Sequence, residues 1–160
     1  MTQNRMVPAK FLWILLLSLG SAACTGGGGE TGEQTGERAY ATDVLVDMEW
    51  MQAHANDPTL RVVEVGGNPD AYGEGHLPGA AFLSTGLLSN PDDPVRGQIA
   101  TAAQVSSALS GIGVSRDHTL VLYDRQNNLT AARAYWVLKY FQHDEVRIYN
   151  GGAPKWTADG

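Results

Sequence analysis

Thr119-Leu-Val-Leu-Tyr123 is a nearly continuous apolar run. Apolar residues at successive positions suit a strand covered on both faces, as in a parallel sheet, because a strand with one wet face alternates. The run is followed by a polar loop, an amphipathic stretch that Thr130 can cap as a helix, a second strand candidate Val146–Tyr149, and the turn Gly151-Gly152 closing on Trp156. Strand, helix and strand in this order imply a largely parallel sheet with helices on both faces, an α/β fold. Loops at the C-terminal ends of such strands usually carry the ligands and chemistry. This one begins with Asp124.

The same alternation extends upstream. Val44–Val46 is a short strand candidate, and Asp47 can cap a helix over Met48 to Ala55, with Glu49 in the first turn where negative charge suits the dipole. Leu60–Val65 is rich in β-branched residues and is punctuated by Gly66-Gly67-Asn68-Pro69. A polar turn leads to Gly75-His-Leu-Pro-Gly79 and a brief strand from Ala80 to Leu83. Residues 84–100 form a long loop. Thr101 and Gln104 fit a capping box for a helix reaching about Ser110, with Gly111 and Gly113 as its stop. In the helix after Asp124 the apolar positions Ala132, Tyr135, Trp136, Leu138 and Tyr140 mark the buried face. No internal repeat is present.

The first forty residues have another purpose. Arg5 and Lys10 precede the apolar run Phe11–Leu19, then the small residues 20–23, then Cys24. This is the plan of an export signal, too short to span a bilayer. The ending Ser-Ala-Ala-Cys resembles a bacterial lipobox, with Ser21 where leucine is usual. Two readings follow: Cys24 is lipidated and anchors the chain, or the signal is cleaved after Ala23 and the product is soluble. Residues 25–40, glycine-rich and almost free of apolar side chains, suit a flexible tether. The expected division is signal 1–24, tether 25–40 and folded domain 41–160.

Composition closes off several functions. The chain has 160 residues, a net charge of −6 and one cysteine. An acidic balance without a basic stripe argues against nucleic-acid binding. One cysteine allows neither an internal disulfide nor a cysteine-rich metal site, and no cofactor or metal is expected.

Three segments together resemble the rhodanese-like sulfurtransferase family: Val62–Val65 with Tyr72 to Ala80, including Gly75-His-Leu-Pro-Gly79; Thr119 to Asp124 with Ala131-Ala-Arg-Ala-Tyr-Trp136; and Val146 to Trp156. The resemblance covers roughly residues 41–160. It is nearest to the N-terminal domain of two-domain thiosulfate and 3-mercaptopyruvate sulfurtransferases, through Tyr123-Asp124-Arg125 and Ala132-Arg133-Ala134-Tyr135-Trp136. Those enzymes are expected to carry the catalytic cysteine only in their second domain, at the loop position that Asp124 holds here. Sulfur transfer needs a soft nucleophile able to hold sulfur as a persulfide, and a carboxylate cannot do that.

The resemblance therefore implies no catalytic residue in this chain, and a partner that is either a C-terminal rhodanese domain or an envelope protein, with membrane contact through the lipid anchor only. Asp124 is expected to accept the amides of Gln126 to Asn128 and so stabilise the helix entry, or to form part of a pocket for an anion or partner. Arg125 and Arg133 are the candidates for reaching a partner carboxylate or a small anion. His76 reads as a turn histidine bonded to backbone; Pro78, Gly79, Gly151 and Gly152 as backbone-geometry residues; Trp136 and Trp156 as core or domain-interface aromatics.

Overall fold

The computed structural model describes residues 43–159. Residues 1–42, which include the expected export signal, Cys24 and the expected tether, lie outside them. Five strands are formed: β1 (Leu45–Val46), β2 (Leu60–Gly66), β3 (Ala81–Ser84), β4 (Thr119–Tyr123) and β5 (Val146–Tyr149). They make one sheet in the order β1-β5-β4-β2-β3, and every pairing is parallel. The apolar run Thr119–Tyr123 is the central strand, β4.

Its alternate residues enter two cores. Leu120 and Leu122 join Val63, Val65, Val146 and Ile148 on one face, against α3 (Ala102–Gly111) and α4 (Leu129–Tyr140). Val121 and Tyr123 join Tyr149 on the other face, with Met51 of α1 (Met48–Ala53) and with Ala153 and Trp156 of α5 (Gly152–Asp159). Burial on both sides explains why β4 lacks the alternation of a half-wet strand.

Several local signals act as expected. The Asp47 carboxylate accepts from the Trp50 N–H at 2.9 Å. The capping box is complete: the Thr101 N–H donates to Gln104 Oε1 at 2.7 Å, and the Gln104 N–H to Thr101 Oγ1 at 3.3 Å. Trp156 packs edge-on against the buried Tyr149, with ring centroids 5.6 Å apart, so it is a partly buried aromatic laid on the core.

Other elements differ from expectation. Residues 68–74 are a short helix, α2 (Pro69–Glu74), capped by Asn68, and Thr85–Leu88 is a 3₁₀ turn inside the expected long loop. The double-glycine turn leads directly into α5, and α1 ends at Ala53 rather than Ala55. Thr130 is not the cap of α4; the cap position falls two residues earlier, at Asn128 in a left-handed conformation, and the helix starts at Leu129.

The buried face of α4 is also rotated from the expected one. It carries Ala131, Ala134, Val137 and Leu138, while Trp136 is 48% and Tyr140 61% exposed. Small side chains let the helix lie close on the sheet, and the bulky aromatics are turned outward. Trp136 is therefore not a core residue.

Candidate functional site

From β2 the chain runs outward to β3, then returns to β4 on the other side of β2. The direction of winding thus reverses between β2 and β4, and their C-terminal ends open a crevice of the kind where α/β sheets bind ligands. The crevice is small, about 120 Å³, and its walls include Glu64, Gly67, Asn68, Arg125, Gln126 and Thr130.

Asp124 lies behind it, 1% exposed. Its Oδ1 accepts the N–H groups of Gln126 and Asn128, both at 2.8 Å, and its Oδ2 those of Thr130 at 2.7 Å and Ala131 at 3.0 Å. The Thr130 hydroxyl sits 2.9 Å from Oδ2 and 2.8 Å from the Val65 carbonyl, so its single proton ties the loop to one or the other. Of the expected amides, Gln126 and Asn128 donate and Asn127 does not, while those of Thr130 and Ala131 are added. Asn127 and Asn128 both adopt positive φ, which wraps successive N–H groups around one point, and asparagine tolerates that conformation better than most residues.

Burial works against the charged form of Asp124, but the amides of Ala131, Gln126 and Asn128 and the Thr130 hydroxyl outweigh it and lower its pKa. The loop is an anion cradle filled by its own carboxylate.

Beneath the loop is a second buried acid. Glu64, 1% exposed, accepts from the Tyr123 hydroxyl at 2.6 Å and from Arg125 through Nε at 2.6 Å and Nη2 at 3.2 Å. The Tyr123 oxygen in turn accepts the Leu77 N–H at 3.1 Å, and Arg125 Nη2 donates to the Gly75 carbonyl. Burial first, then the Glu64 carboxylate, push the Tyr123 phenol well above its ordinary value, while the bond to Glu64 raises the Arg125 guanidinium. The network pins the segment around Gly75-His-Leu-Pro-Gly79 to the end of β4.

His76 follows expectation: its Nδ1 lies 3.0 Å from the Tyr72 carbonyl and its ring stacks on Tyr72. Arg125 does not: rather than facing a partner, its guanidinium is held by Glu64. Arg133 donates to the Gly97 carbonyl at 2.7 Å and lies over the Trp136 ring, 4.8 Å from the centroid. Asp124 and Arg125 share one site, whereas Arg133 belongs to the outer face of α4.

Glu64 escaped the reading of the sequence, although a single acid inside Val62-Val-Glu-Val65 is the mark of a buried, paired charge. Glu64→Gln keeps the shape but removes the charge and weakens the bonds from both Tyr123 and Arg125. We expect a loss of about 1–3 kcal/mol, discounted toward the lower end because Arg125 is partly exposed. Urea unfolding checks this; an unchanged midpoint would show that the network contributes nothing.

The rhodanese-like domain model matches residues 47–159. The chain belongs to the rhodanese-like domain family. Among curated relatives, the sulfur carrier protein TtuD of Thermus thermophilus is 38% identical over 118 residues, 74% of this chain and 41% of that protein. A protein of Mycolicibacterium smegmatis named as a thiosulfate sulfurtransferase is 37% identical, over 74% of this chain and 42% of its own length. Among solved structures, SseA of Escherichia coli, described with the 3-mercaptopyruvate sulfotransferases, superposes with a TM-score of 0.66 at 30% identity, covering 74% of this chain and 48% of that one. The rhodanese-like domain thus spans about two fifths of the length of the curated relatives it matches.

Proposed function

We propose that this rhodanese-like domain is the non-catalytic, N-terminal half of an exported sulfurtransferase for thiosulfate or 3-mercaptopyruvate, tethered to the bacterial envelope through a lipid on Cys24. A cysteine in a second rhodanese-like domain performs the transfer. The observation that carries this reading is the state of the Asp124 loop. A cradle suited to a thiolate is saturated by a carboxylate, which has no sulfur-accepting orbital chemistry and cannot hold a persulfide. Cys24, the only cysteine of the chain, precedes a glycine-rich segment and belongs to the export signal in this reading.

Membrane contact is then through the lipid alone; among the described residues no helix is long and apolar enough to cross a membrane. The outer face of α4 supplies a surface for the partner domain: Leu129 is 70% exposed and lies on the same side as Arg133, Trp136 and Tyr140. Tryptophan, tyrosine and arginine are the residues that dominate interface energetics.

The purified full chain is expected to show no thiosulfate:cyanide or 3-mercaptopyruvate:cyanide transfer above buffer; robust turnover overturns the reading. Sequencing the native reading frame tests the tandem arrangement. A second rhodanese-like domain with a loop cysteine supports it, and a stop codon directly after Gly160 removes it. Palmitate labelling in the native host is expected to disappear in Cys24→Ser; labelling that persists places the lipid elsewhere, and absence of label from the parent chain rejects the anchor.

The exposed stripe on α4 also favours a second reading, a self-sufficient inactive module that binds a protein partner or a small anion in the envelope. A stable, monodisperse chain that captures an envelope protein through Trp136, with no downstream domain in its gene, would select this alternative.

A further inference from the structure

A separate cleft opens at the other end of the sheet, beside the N-terminal ends of β4 and β5, away from the Asp124 loop. It holds about 380 Å³, within the range of small-molecule sites. Its floor is apolar: Val105 and Leu109 of α3, Val114, and Leu138 with Phe141 at the end of α4. Val105, Val114 and Leu138 also belong to the core, so the floor is set by packing rather than by mobile surface side chains.

The rim is polar and contains one cation, Arg116, with Ser106 and Ser110 one helical turn apart on α3. The His143 ring forms a fixed wall. It is 5% exposed, and its Nε2 lies 2.9 Å from the His118 carbonyl, which can only accept, so this nitrogen carries the proton.

Arg116 donates Nη2 to the Gln142 carbonyl at 2.8 Å, which holds the guanidinium at the mouth and leaves most of its five N–H groups unused. Among the described residues it forms no ion pair, as is also true of Arg61, Arg96 and Arg133, whereas Arg125 and Arg147 have carboxylate partners. Of these four unpaired guanidinium groups, Arg116 is the one that lines this apolar hollow. We propose that this cleft binds a small amphipathic monoanion. The apolar body of the ligand, a short alkyl chain or a single ring, lies on Val105, Leu109 and Leu138, and its carboxylate or sulfonate meets Arg116. The site does not depend on the sulfurtransferase reading, since it uses none of the residues of the Asp124 loop or the Glu64 network.

Octanoate is a suitable probe, titrated into the full chain by calorimetry and followed by ¹⁵N–¹H correlation spectra, with 1-octanol as the uncharged control. Saturable one-to-one binding is expected, with shifts concentrated at the amides of Ser106, Ser110 and Val114. Arg116→Gln should weaken octanoate by about tenfold or more, the usual scale for loss of a charged hydrogen bond, and leave octanol unaffected. Ser106→Leu, on an exposed position of the rim, should fill the hollow and weaken both ligands. Failure of octanoate to saturate at millimolar concentration, shifts centred elsewhere, or equal affinity in Arg116→Gln would each overturn the proposal.

Discussion

Asp124→Ala is expected to destabilise the domain by about 3–4 kcal/mol, because four backbone N–H groups lose their common acceptor at a nearly sealed position, while the Thr130 hydroxyl keeps the Val65 carbonyl as its acceptor. Water entering the small crevice recovers part of the loss, which keeps the figure below the sum of the individual bonds. Asp124→Asn should also be costly, since the amide nitrogen turns donors toward donors. For a domain of this size the alanine variant should melt roughly 15 °C lower, measured by calorimetry. A melting temperature equal to the parent's would mean that the cradle forms without its anion.

The same carboxylate sets an acid limb. Its folded-state pKa lies below the value of 3.8 in an unfolded chain, so the native state binds this proton less readily than the unfolded state. Its contribution is therefore complete above the ordinary aspartate range and is lost as pH falls through the lowered folded-state value. Tyr123 acts at the opposite end: its raised pKa gives a contribution present below the unfolded value of 10.0 and lost as pH rises through the folded one. Asp124→Ala should flatten the stability profile below about pH 4, leaving the alkaline limb in place.

Gly152→Ala should be comparably severe, a loss of about 3 kcal/mol or more. Gly152 has φ +60°, and a Cβ there would collide with the main-chain carbonyl of Asp124 and lie 3.3 Å from Asn128 Oδ1. The obstacle is backbone rather than a side chain that could swing away, and that carbonyl already accepts the Ala153 N–H at 2.8 Å. The substitution thus forces the start of α5 away from the Asp124 loop. Gly73→Ala is the control: it lies in α2 with open space around it, and should be neutral or stabilising by about 0.5–1 kcal/mol. Equal melting temperatures for the two variants would refute the close-approach account.

The sequence by itself determined the fold class. β4, β2 and β5 are visible as apolar runs because burial on both faces leaves little room for polar residues, and Asp47 and Thr101 announce their helices because capping is local. It also showed that the chain has one cysteine and that an aspartate opens the loop after β4. The short helix α2 and the start of α5 escaped it, since Gly73, Pro154 and the paired glycines carry weak helical propensity and only tertiary packing makes helices of them.

The rotation of α4 was hidden for a related reason. Hydrophobicity marked Trp136 and Tyr140 as buried, but the distance between helix and sheet selected Ala131 and Ala134 for the inner face. Only the tertiary structure decided what the charged residues do. Glu64 and Arg125 are 61 positions apart in the chain, and the register that places Glu64 opposite Tyr123 brings the pair together. Asp124 was legible as an anion at a helix entry, but only the first turn of α4 supplies donors of that kind, Thr130 and Ala131; Gln126 and Asn128 come from a loop whose left-handed turn at Asn127 and Asn128 has no periodic signature. Long-range pairing turned these charges inward, to hold the loop.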